Sequence, residues 1–256
     1  MNYVDKLNII AIVQARLGST RLPKKVLVDI DGRTMIEYII GRLKSSKIIN
    51  KVVVTTTTDS SDDLLVDYLR EKNISCFRGR TNDIVQRFYE AGVEFNADIV
   101  VRIWGDCPLI DAVVIETMLN EHHRQHADYT SNVDYPFGMD AEIYSIKTLK
   151  YLFDNVNDPF YREFPFEYIK DSNVFKAVKV SYGRSASNIN LTMDYPQDLD
   201  IIRKIIDHFS KNQLPLELDN IVDFCRNNKE IFAAASDLSR NIEYHQSLRR
   251  HNETRR

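Results

Sequence analysis

Residues 9–27 read IIAIVQARLGSTRLPKKVL and contain the clearest indication of the fold. This stretch begins with a short β-branched run, Ile9 to Val13, which contains no polar residue and is typical of a strand buried on both faces of a sheet. Similar runs recur at Lys51 to Thr56 and at Asp98 to Trp104. Helical spacing of apolar residues separates these runs, over Met35–Leu43, Leu64–Leu69 and Ile84–Tyr89. This alternation predicts an α/β protein with a parallel sheet and right-handed crossovers over residues 2–125.

From residue 127 onward the pattern changes. Strand-like runs at Asp128–Ser131, Ala141–Ser145 and Phe175–Ser181 are separated by loops and by two helical patterns, Lys147–Phe153 and Arg162–Lys170. The sequence therefore predicts a mixed, partly antiparallel extension of the sheet. A strand fragment, Leu191–Met193, then leads to a helix that begins at Pro196, where a missing amide proton costs nothing.

The last part of the chain has weaker signals. Residues 216–250 are expected to form two or three short helices, and the basic tail from Arg249 to Arg256 is expected to fray. We therefore expect a main domain over residues 1–210, with the sheet extension at 127–190. A C-terminal helical appendage with a basic tail is expected over residues 211–256.

Composition excludes several classes of function. The 34 basic and 37 acidic residues give a net charge of −3, so no large nucleic-acid footprint or membrane surface is expected. The three cysteines, Cys76, Cys107 and Cys225, form no CxxC pair, which argues against a disulfide framework or a structural zinc site. The first residues carry no apolar run long enough for a signal peptide. These features predict a reducing, cytoplasmic location.

The loop after the first predicted strand is rich in cations. Beside Gly18, Ser19 and Thr20 it carries four basic residues, Arg16, Arg21, Lys24 and Lys25. Ligands of open parallel sheets bind beyond the carboxyl ends of the strands, and amides, hydroxyls and cations together suit a polyphosphate. The loop matches neither GxxxxGKS/T nor GxGxxG, the common glycine-rich phosphate motifs. A solvated basic loop without a ligand is the alternative interpretation.

Two aspartates that follow predicted strands are candidates for one metal site. Asp106 comes after Gly105 at the end of the Asp98–Trp104 run, and Asp194 comes after Leu191–Met193. Both would emerge at the sheet edge that carries the cationic loop, where carboxylates facing phosphates are expected if Mg²⁺ lies between them. The alternative is that such aspartates only end strands and cap helices, a role we expect for Asp111.

Three motifs, ARLGSTRLPKKVL at 15–27, GDCPLID at 105–111 and MDYPQDLD at 193–200, together resemble the cytidylyltransferase family that makes CMP-activated acidic sugars. Within that family the chain is most similar to the group typified by spore-coat polysaccharide synthesis protein F, through FRG at 77–79, GMDAE at 138–142 and RE at 162–163. The similarity extends in order from about residue 9 to residue 206. It implies a Rossmann-like nucleotidyltransferase fold of the nucleotide-diphospho-sugar transferase type.

The resemblance also implies roles for individual residues. Arg16 and Lys25 would neutralise the phosphates of CTP, Arg21 would support them or shape the loop, and Asp106 and Asp194 would hold Mg²⁺. Other contacts to the nucleotide would come from Ala15, Gly18, Ser19, Thr55, Arg80 and Asp83, and the sugar acceptor would face Asp140 and Glu142. The implied reaction transfers CMP to an acidic sugar of the nonulosonic or octulosonic type, releases pyrophosphate and supplies surface-polysaccharide synthesis. The implied assembly is a homodimer formed through the sheet extension.

Two other functions remain open on the sequence. A glycosyltransferase of the related fold would use a sugar nucleotide and a DxD dyad, which the segment Asp59–Asp63 matches only loosely. A helix N-cap with acidic residues in its first turn is the simpler explanation of that segment. A non-catalytic nucleotide-binding subunit is the second alternative. His122 and His126 are spaced for zinc, but their polar neighbours favour an exposed helix face.

Overall fold

The computed structural model describes residues 7–235 and 241–254. The strands in these ranges are β1 (Ile9–Gln14), β2 (Asp29–Ile30), β3 (Arg33–Thr34), β4 (Lys51–Thr57), β5 (Ser75–Gly79), β6 (Ile99–Trp104), β7 (Tyr129–Val133), β8 (Ala141–Ser145) and β9 (Ala177–Ser181). The α-helices are α1 (Met35–Leu43), α2 (Asp63–Glu71), α3 (Ile84–Glu94), α4 (Ala112–Arg124), α5 (Ile146–Asn155), α6 (Pro159–Glu163), α7 (Pro165–Asp171), α8 (Pro196–Lys211), α9 (Leu218–Asn227) and α10 (Ile242–Thr254). Short 3-10 helices cover Lys25–Leu27, Ser60–Asp62 and Lys229–Ala235.

Seven strands form one sheet in the order β5-β4-β1-β6-β8-β7-β9. The first four strands run parallel, whereas β8 is antiparallel to both β6 and β7. The predicted α/β architecture, a mainly parallel sheet with a mixed extension, is therefore confirmed. Because β8 runs against β6, its first residue, Ala141, pairs with Ile103 near the carboxyl end of β6. The start of β8 thus reaches the same sheet edge as the ends of the parallel strands.

Helices cover the sheet on both faces, which explains the continuous apolar run at the start of the chain. Ile9, Ala11 and Val13 of β1 belong to one core with the apolar faces of α1, α4, α8 and α9. Ile10 and Ile12 of β1 face a second core, built with α3, α5, α6 and α7. A strand with no solvent-facing side has no polar positions to alternate with.

Several predicted elements differ from the structure. Residues 75–79 form the edge strand β5, which has mostly half-buried positions and therefore lacks a strong apolar signal. The predicted helix Arg162–Lys170 is two helices, α6 and α7, because Pro165 begins a new helix. Leu191–Met193 is not a strand; next to it, Asn190 makes only an isolated bridge to Phe137.

The C-terminal tail does not fray as expected within the residues described. α10 continues to Thr254, and the buried ring of His251 stacks on Phe160 with centroids 4.2 Å apart. The last two positions of the predicted tail, and residues 1–6 and 236–240 of the predicted domains, lie outside the described residues. In the ranges that are described, the helices are too short or too polar to cross a membrane.

Candidate active site

A cleft of about 250 Å³ opens where the carboxyl ends of β1, β4 and β6 meet. It is lined by the loop after β1, by the start of α3 and by residues from distant parts of the chain. The lining includes Gln14, Ala15, Arg16, Gly18, Ser19, Arg21, Lys25, Thr57, Asn82, Arg87, Gly105, Asp106, Asp194 and Tyr244. The cleft therefore brings together most of the residues predicted to contact phosphates and metal.

The loop after β1 is fixed by a buried carboxylate. Asp62 Oδ1 accepts a hydrogen bond from the Leu17 amide at 2.7 Å, and its Oδ2 accepts from the Thr56 hydroxyl at 2.9 Å and from both the amide and the hydroxyl of Thr57. With Leu17 held in the core, the neighbouring Arg16 and Gly18 are exposed toward the cleft. Sequence reasoning missed Asp62, although an acidic cluster directly after a buried strand was a signal for it.

This arrangement also accounts for the DxD-like segment. Asp59 caps the short 3-10 helix by accepting from the Ser61 amide at 2.8 Å, as the N-cap interpretation predicts. Asp62 is occupied by the loop contacts, with only 1% of its surface exposed. The resemblance to a sugar-nucleotide DxD dyad therefore has no structural support at these two residues.

Asp106 reaches the loop because Gly105 permits a close approach of two strand ends. The Gly105 amide donates to the Gln14 carbonyl at 2.8 Å, and a Cβ at position 105 would lie 2.5 Å from that same oxygen. Any other residue would push the end of β6 away from β1. Asp111, a few residues on, caps α4 through the Val113 amide, as predicted.

Asp194 comes to the same place without a strand to carry it. The Met193 amide donates to the Asp106 carbonyl at 2.9 Å, which ties the two segments together. Asp198 Oδ2 accepts from the amides of Asp194 and Tyr195 at 2.9 and 2.8 Å, which fixes the turn into α8. The two aspartates are therefore neighbours, although the expected strand before Asp194 does not form.

Lys25 lies between these two carboxylates. Its Nζ is 2.9 Å from Asp106 Oδ2 and 2.8 Å from Asp194 Oδ1, and Arg21 approaches the same Asp194 oxygen at 3.0 Å. Burial acts to lower the pKa of Lys25, but the charges and hydrogen bonds of both aspartates outweigh it and raise that pKa above its ordinary value. The two carboxylates thus converge on a positive charge, and hard oxygen donors in that arrangement fit Mg²⁺.

A second cavity of about 430 Å³ adjoins the cleft and shares Asp106 and Asp194 with it. Asp140 and Glu142, predicted to face the acceptor, are among its lining residues. Burial and the nearby charge of Asp106 raise the pKa of Asp140 to about 6, against the hydrogen bond from the Gly138 amide.

Glu142 is the centre of a buried polar network. It pairs with Arg102 at 2.9 Å, and it accepts from the hydroxyls of Tyr129 and Tyr144 at 2.9 and 2.7 Å. Its side chain is 6% exposed. Glu142 therefore lines the second cavity with its hydrogen-bonding capacity largely used.

Three predicted nucleotide contacts do not line the cleft as the structure has it. Thr55 is fully buried within β4, while Thr57, two residues on, reaches the cleft. Arg80 is exposed and gives its carbonyl to Arg87 at 3.0 Å. Asp83 caps α3 and pairs with Arg162 Nε at 2.7 Å. Their predicted roles in nucleotide binding remain predictions.

The aromatic segment near residue 160 divides between core and cavity. Phe160 and Tyr161 are buried, whereas Phe164 and Phe166 line the second cavity. Tyr244 of α10 packs against both lining rings, with centroids 5.2 and 5.7 Å away, and its hydroxyl bonds Glu167. Sequence reasoning gave the C-terminal residues no place in the site, because their contacts are made only by tertiary packing.

The histidines of α4 differ from their expected exposure. His122 is buried with 5% of its surface exposed, and its Nδ1 lies 2.9 Å from the Thr130 hydroxyl. The expectation of an exposed helix face is therefore wrong for His122. His126 is exposed, as expected, but it lies just beyond the end of α4.

Comparison with known proteins points to one family. A family model described as "Cytidylyltransferase" matches residues 10–238. The chain is similar to spore coat polysaccharide biosynthesis protein SpsF of Bacillus subtilis, 28% identical over 56% of this chain and 61% of that protein. It is also similar to 3-deoxy-manno-octulosonate cytidylyltransferase of Geobacter sulfurreducens, 33% identical over 43% of each chain. A solved cytidylyltransferase structure from Leptospira borgpetersenii superposes with a TM-score of 0.81 at 29% identity, covering 91% of this chain and 98% of that one.

Proposed function

The chain belongs to the cytidylyltransferase family, and from this premise we propose that it transfers CMP from CTP to a hydroxyl of an acidic sugar. The acceptor class would be a nonulosonic or octulosonic acid, as in the Geobacter sulfurreducens relative named for 3-deoxy-manno-octulosonate. One observation carries the proposal: Lys25 joins Asp106 and Asp194 at the boundary between the cationic cleft and the second cavity. A phosphorus atom at that boundary would face nucleotide groups on one side and an acceptor on the other.

The cleft supplies the nucleotide half of the reaction. Arg16, Gly18 and Ser19 present a guanidinium, an amide and a hydroxyl to the triphosphate from a loop that Asp62 holds in place. Lys25 and Arg21 add positive charge beside Asp194. Because pyrophosphate leaves as charge accumulates on the phosphate oxygens, fixed cations of this kind stabilise the transition state.

Asp106 and Asp194 would hold Mg²⁺, which when bound neutralises phosphate charge and so makes the α-phosphorus more electrophilic. The chain's own contribution is to keep both carboxylates in one place, through the Met193 amide and the glycine before Asp106. Lys25 balances their charge while the nucleotide is absent.

The second cavity would bind the sugar. Asp140 and Glu142 lie on the antiparallel side of the site, and the aromatic rings of Phe164, Phe166 and Tyr244 line the same cavity. An acceptor hydroxyl held there can approach the α-phosphorus in line with the departing pyrophosphate, so the reaction needs alignment and no covalent enzyme intermediate.

The wider setting of the enzyme follows from the same proposal. We propose a cytoplasmic homodimer formed through residues 127–190 that supplies surface-polysaccharide synthesis, with the transfer chemistry in residues 1–210 and a helical appendage at 211–256. The support for the dimer is the position of β9, which ends the sheet and so gives the extension an edge strand. Light scattering with size-exclusion chromatography measures the oligomeric state directly.

The test is a pyrophosphate-release assay with purified protein, Mg²⁺ and each of the four nucleoside triphosphates. Acceptors would be a panel of octulosonic and nonulosonic acids, with neutral hexoses as controls. We expect release only with CTP and at least one acidic sugar, and no release from the Asp106→Asn variant. Release with neutral hexoses alone would overturn the acceptor class, and release with another triphosphate would overturn the nucleotide.

A further inference from the structure

Arg87 is a buried cation that contacts no carboxylate in the part of the chain that the structure describes. It lies on α3, lines the nucleotide cleft and exposes only 3% of its surface. Its Nη1 donates to the Arg80 carbonyl at 3.0 Å, while its Nε is buried without a hydrogen-bond partner. Within residues 7–235 and 241–254 it makes no ion pair.

Two other arginines around the site show what a buried guanidinium ordinarily has. Arg102, also 3% exposed, pairs with Glu142 at 2.9 Å, and Arg162 pairs with Asp83 at 2.7 Å. Burial, with the positive charges of Arg102 and Arg16, lowers the pKa of Arg87 to about 10, and the more weakly acting charges of Asp62 and Asp83 oppose that change. A guanidinium stays charged at that value, so within the described residues Arg87 is a buried charge without a carboxylate in direct contact.

The position of Arg87 is built into the neighbouring strand. Gly79 ends β5 beneath the aliphatic part of the arginine, and a Cβ there would lie 2.9 Å from Arg87 Cγ and 3.1 Å from its Cβ. The absence of a side chain at position 79 therefore leaves room for the aliphatic part of Arg87 to cross the end of β5. Packing alone would not require that this side chain end in a charged guanidinium group.

We propose that Arg87 is a phosphate-binding residue of the nucleotide cleft, whose missing counter-charge is the polyphosphate of the substrate. This inference rests on the proposed function for the identity of the nucleotide, but its ligand chemistry is that of a polyphosphate anion. Arg16 lines the same cleft and would share that anion with it. Binding of a polyphosphate would place a negative charge beside the Arg87 guanidinium. Only an anionic ligand obtains the free energy of that charge-assisted contact.

The experiment compares Arg87→Met, which keeps the stem and removes the charge, with the wild-type chain. Thermal unfolding without ligand is measured first, followed by calorimetric affinities for inorganic pyrophosphate, CTP and the uncharged nucleoside cytidine. We expect the unliganded variant to unfold at the same temperature or higher, because an unpaired charge is gone. Affinity for pyrophosphate and CTP should fall at least about tenfold, the loss of one charge-assisted contact, with cytidine unaffected.

Three further variants keep the test decisive. Gly79→Ala, which displaces the arginine, should reproduce the loss of pyrophosphate affinity, and Arg87→Lys should restore part of it. Arg42→Met is the matched control, because Arg42 also lacks an ion pair and donates to two carbonyls, of Ile110 and Leu216, but lies away from the cleft. It should lower the unfolding temperature and leave pyrophosphate affinity unchanged.

The outcomes separate this inference from the proposed function. Unchanged pyrophosphate affinity in Arg87→Met, or no pyrophosphate binding by the wild-type chain, would overturn the assignment. Pyrophosphate binding that depends on Arg87, in a protein that releases no pyrophosphate from CTP, would support the assignment and overturn the proposed function alone.

Discussion

The ammonium nitrogen of Lys25 lies 2.8 Å from Oδ1 of Asp194, in a contact where both side chains are largely buried. Replacing Lys25 by Met should leave Asp106 and Asp194 facing each other with only Arg21 as a counter-charge, beside Asp194, and should lower the free energy of unfolding by about 2 kcal/mol. Loss of a fixed cation at the phosphates should also slow pyrophosphate release at least about 100-fold. Thermal melts and release assays measure both effects.

Added Mg²⁺ gives that variant a distinctive signature. A divalent cation between the two carboxylates should stabilise Lys25→Met more than it stabilises the wild-type chain. Lys72→Met, which breaks an ion pair with Glu37 away from the site, is the control. Mg²⁺ should stabilise it no more than it stabilises the wild-type chain, and its pyrophosphate release should be unchanged. An equal response to Mg²⁺ in all three proteins would contradict the metal site.

The two aspartates of the GDCPLID motif should respond differently to the same change. Asp106→Asn should reduce activity at least about 100-fold with little change in stability, because it removes a carboxylate from the site. Asp111→Asn should cost about 1 kcal/mol of stability, since Asp111 caps α4 and also accepts from the Leu218 amide at 2.7 Å. Its activity per folded molecule should equal that of the wild-type chain, and a similar loss in both variants would refute this division of roles.

Asp62 is expected to affect nucleotide binding because it holds the loop after β1 through the Leu17 amide. Asp62→Asn replaces one acceptor oxygen by a donor amide, so the contacts to Leu17 and Thr57 cannot all persist. We expect a loss of about 1–3 kcal/mol in stability and a higher KM for CTP, with the KM for the acceptor unchanged. Asp59→Asn, at an exposed cap nearby, serves as the control and should change neither KM.

Tyr244 lines both cavities and should act more strongly on the acceptor than on the nucleotide. Tyr244→Ala removes a ring from the wall formed with Phe164 and Phe166 and should raise the KM for the sugar several-fold, with a smaller rise in the KM for CTP. Tyr244→Phe keeps the ring but loses the bond to Glu167, so its KM for the sugar should lie between those of the wild-type chain and Tyr244→Ala. Steady-state kinetics with each substrate varied separately decides the point, and a CTP effect of equal size would exclude a wall specific to the acceptor.

His122 should make stability fall on the acid side. Burial, helped by the charge of His123 and opposed by Asp128, lowers the pKa of His122 from 6.5 to about 4. Between about pH 6.5 and pH 4, the unfolded chain binds a proton at His122 that the folded chain does not bind. The free energy of unfolding therefore falls as the pH drops from about 6.5 toward 4. The loss attributable to this residue should reach about 2 kcal/mol near pH 5.

Urea denaturation across that pH range checks the effect of His122. His122→Gln should flatten the dependence, whereas His123→Gln, at a partly exposed neighbour, should retain it. Parallel curves for His122→Gln and the wild-type chain would show that the acid sensitivity arises elsewhere.

The parallel half of the protein could be predicted from sequence because its strands are buried on both faces and its helices carry one apolar face. The edge strand β5 could not, since half-buried positions carry no clear period. The meeting of Asp106 and Asp194 was predicted for a reason that is partly wrong: a single backbone hydrogen bond from Met193, and not a strand, brings Asp194 there. Tyr244 contacts Phe164, Phe166 and Glu167, which are far from it in the chain, and no local pattern records those contacts. Asp62 belongs to an acidic cluster that follows a buried strand, but that pattern does not record its hydrogen bond to the distant Leu17 amide.

The direction of β8 has a consequence for how such a protein can diversify. Because β8 runs antiparallel to β6, the loop at residues 134–140 lies at the sheet edge that carries Asp106, and its Phe137 and Asp140 line the second cavity. The carbonyl of Phe137 also accepts a hydrogen bond from the Leu191 amide, three residues before Asp194. Under the proposed function, a change in this one hairpin connection would therefore alter the acceptor side and the metal site together, while the contacts of Asp62 would still hold the loop after β1.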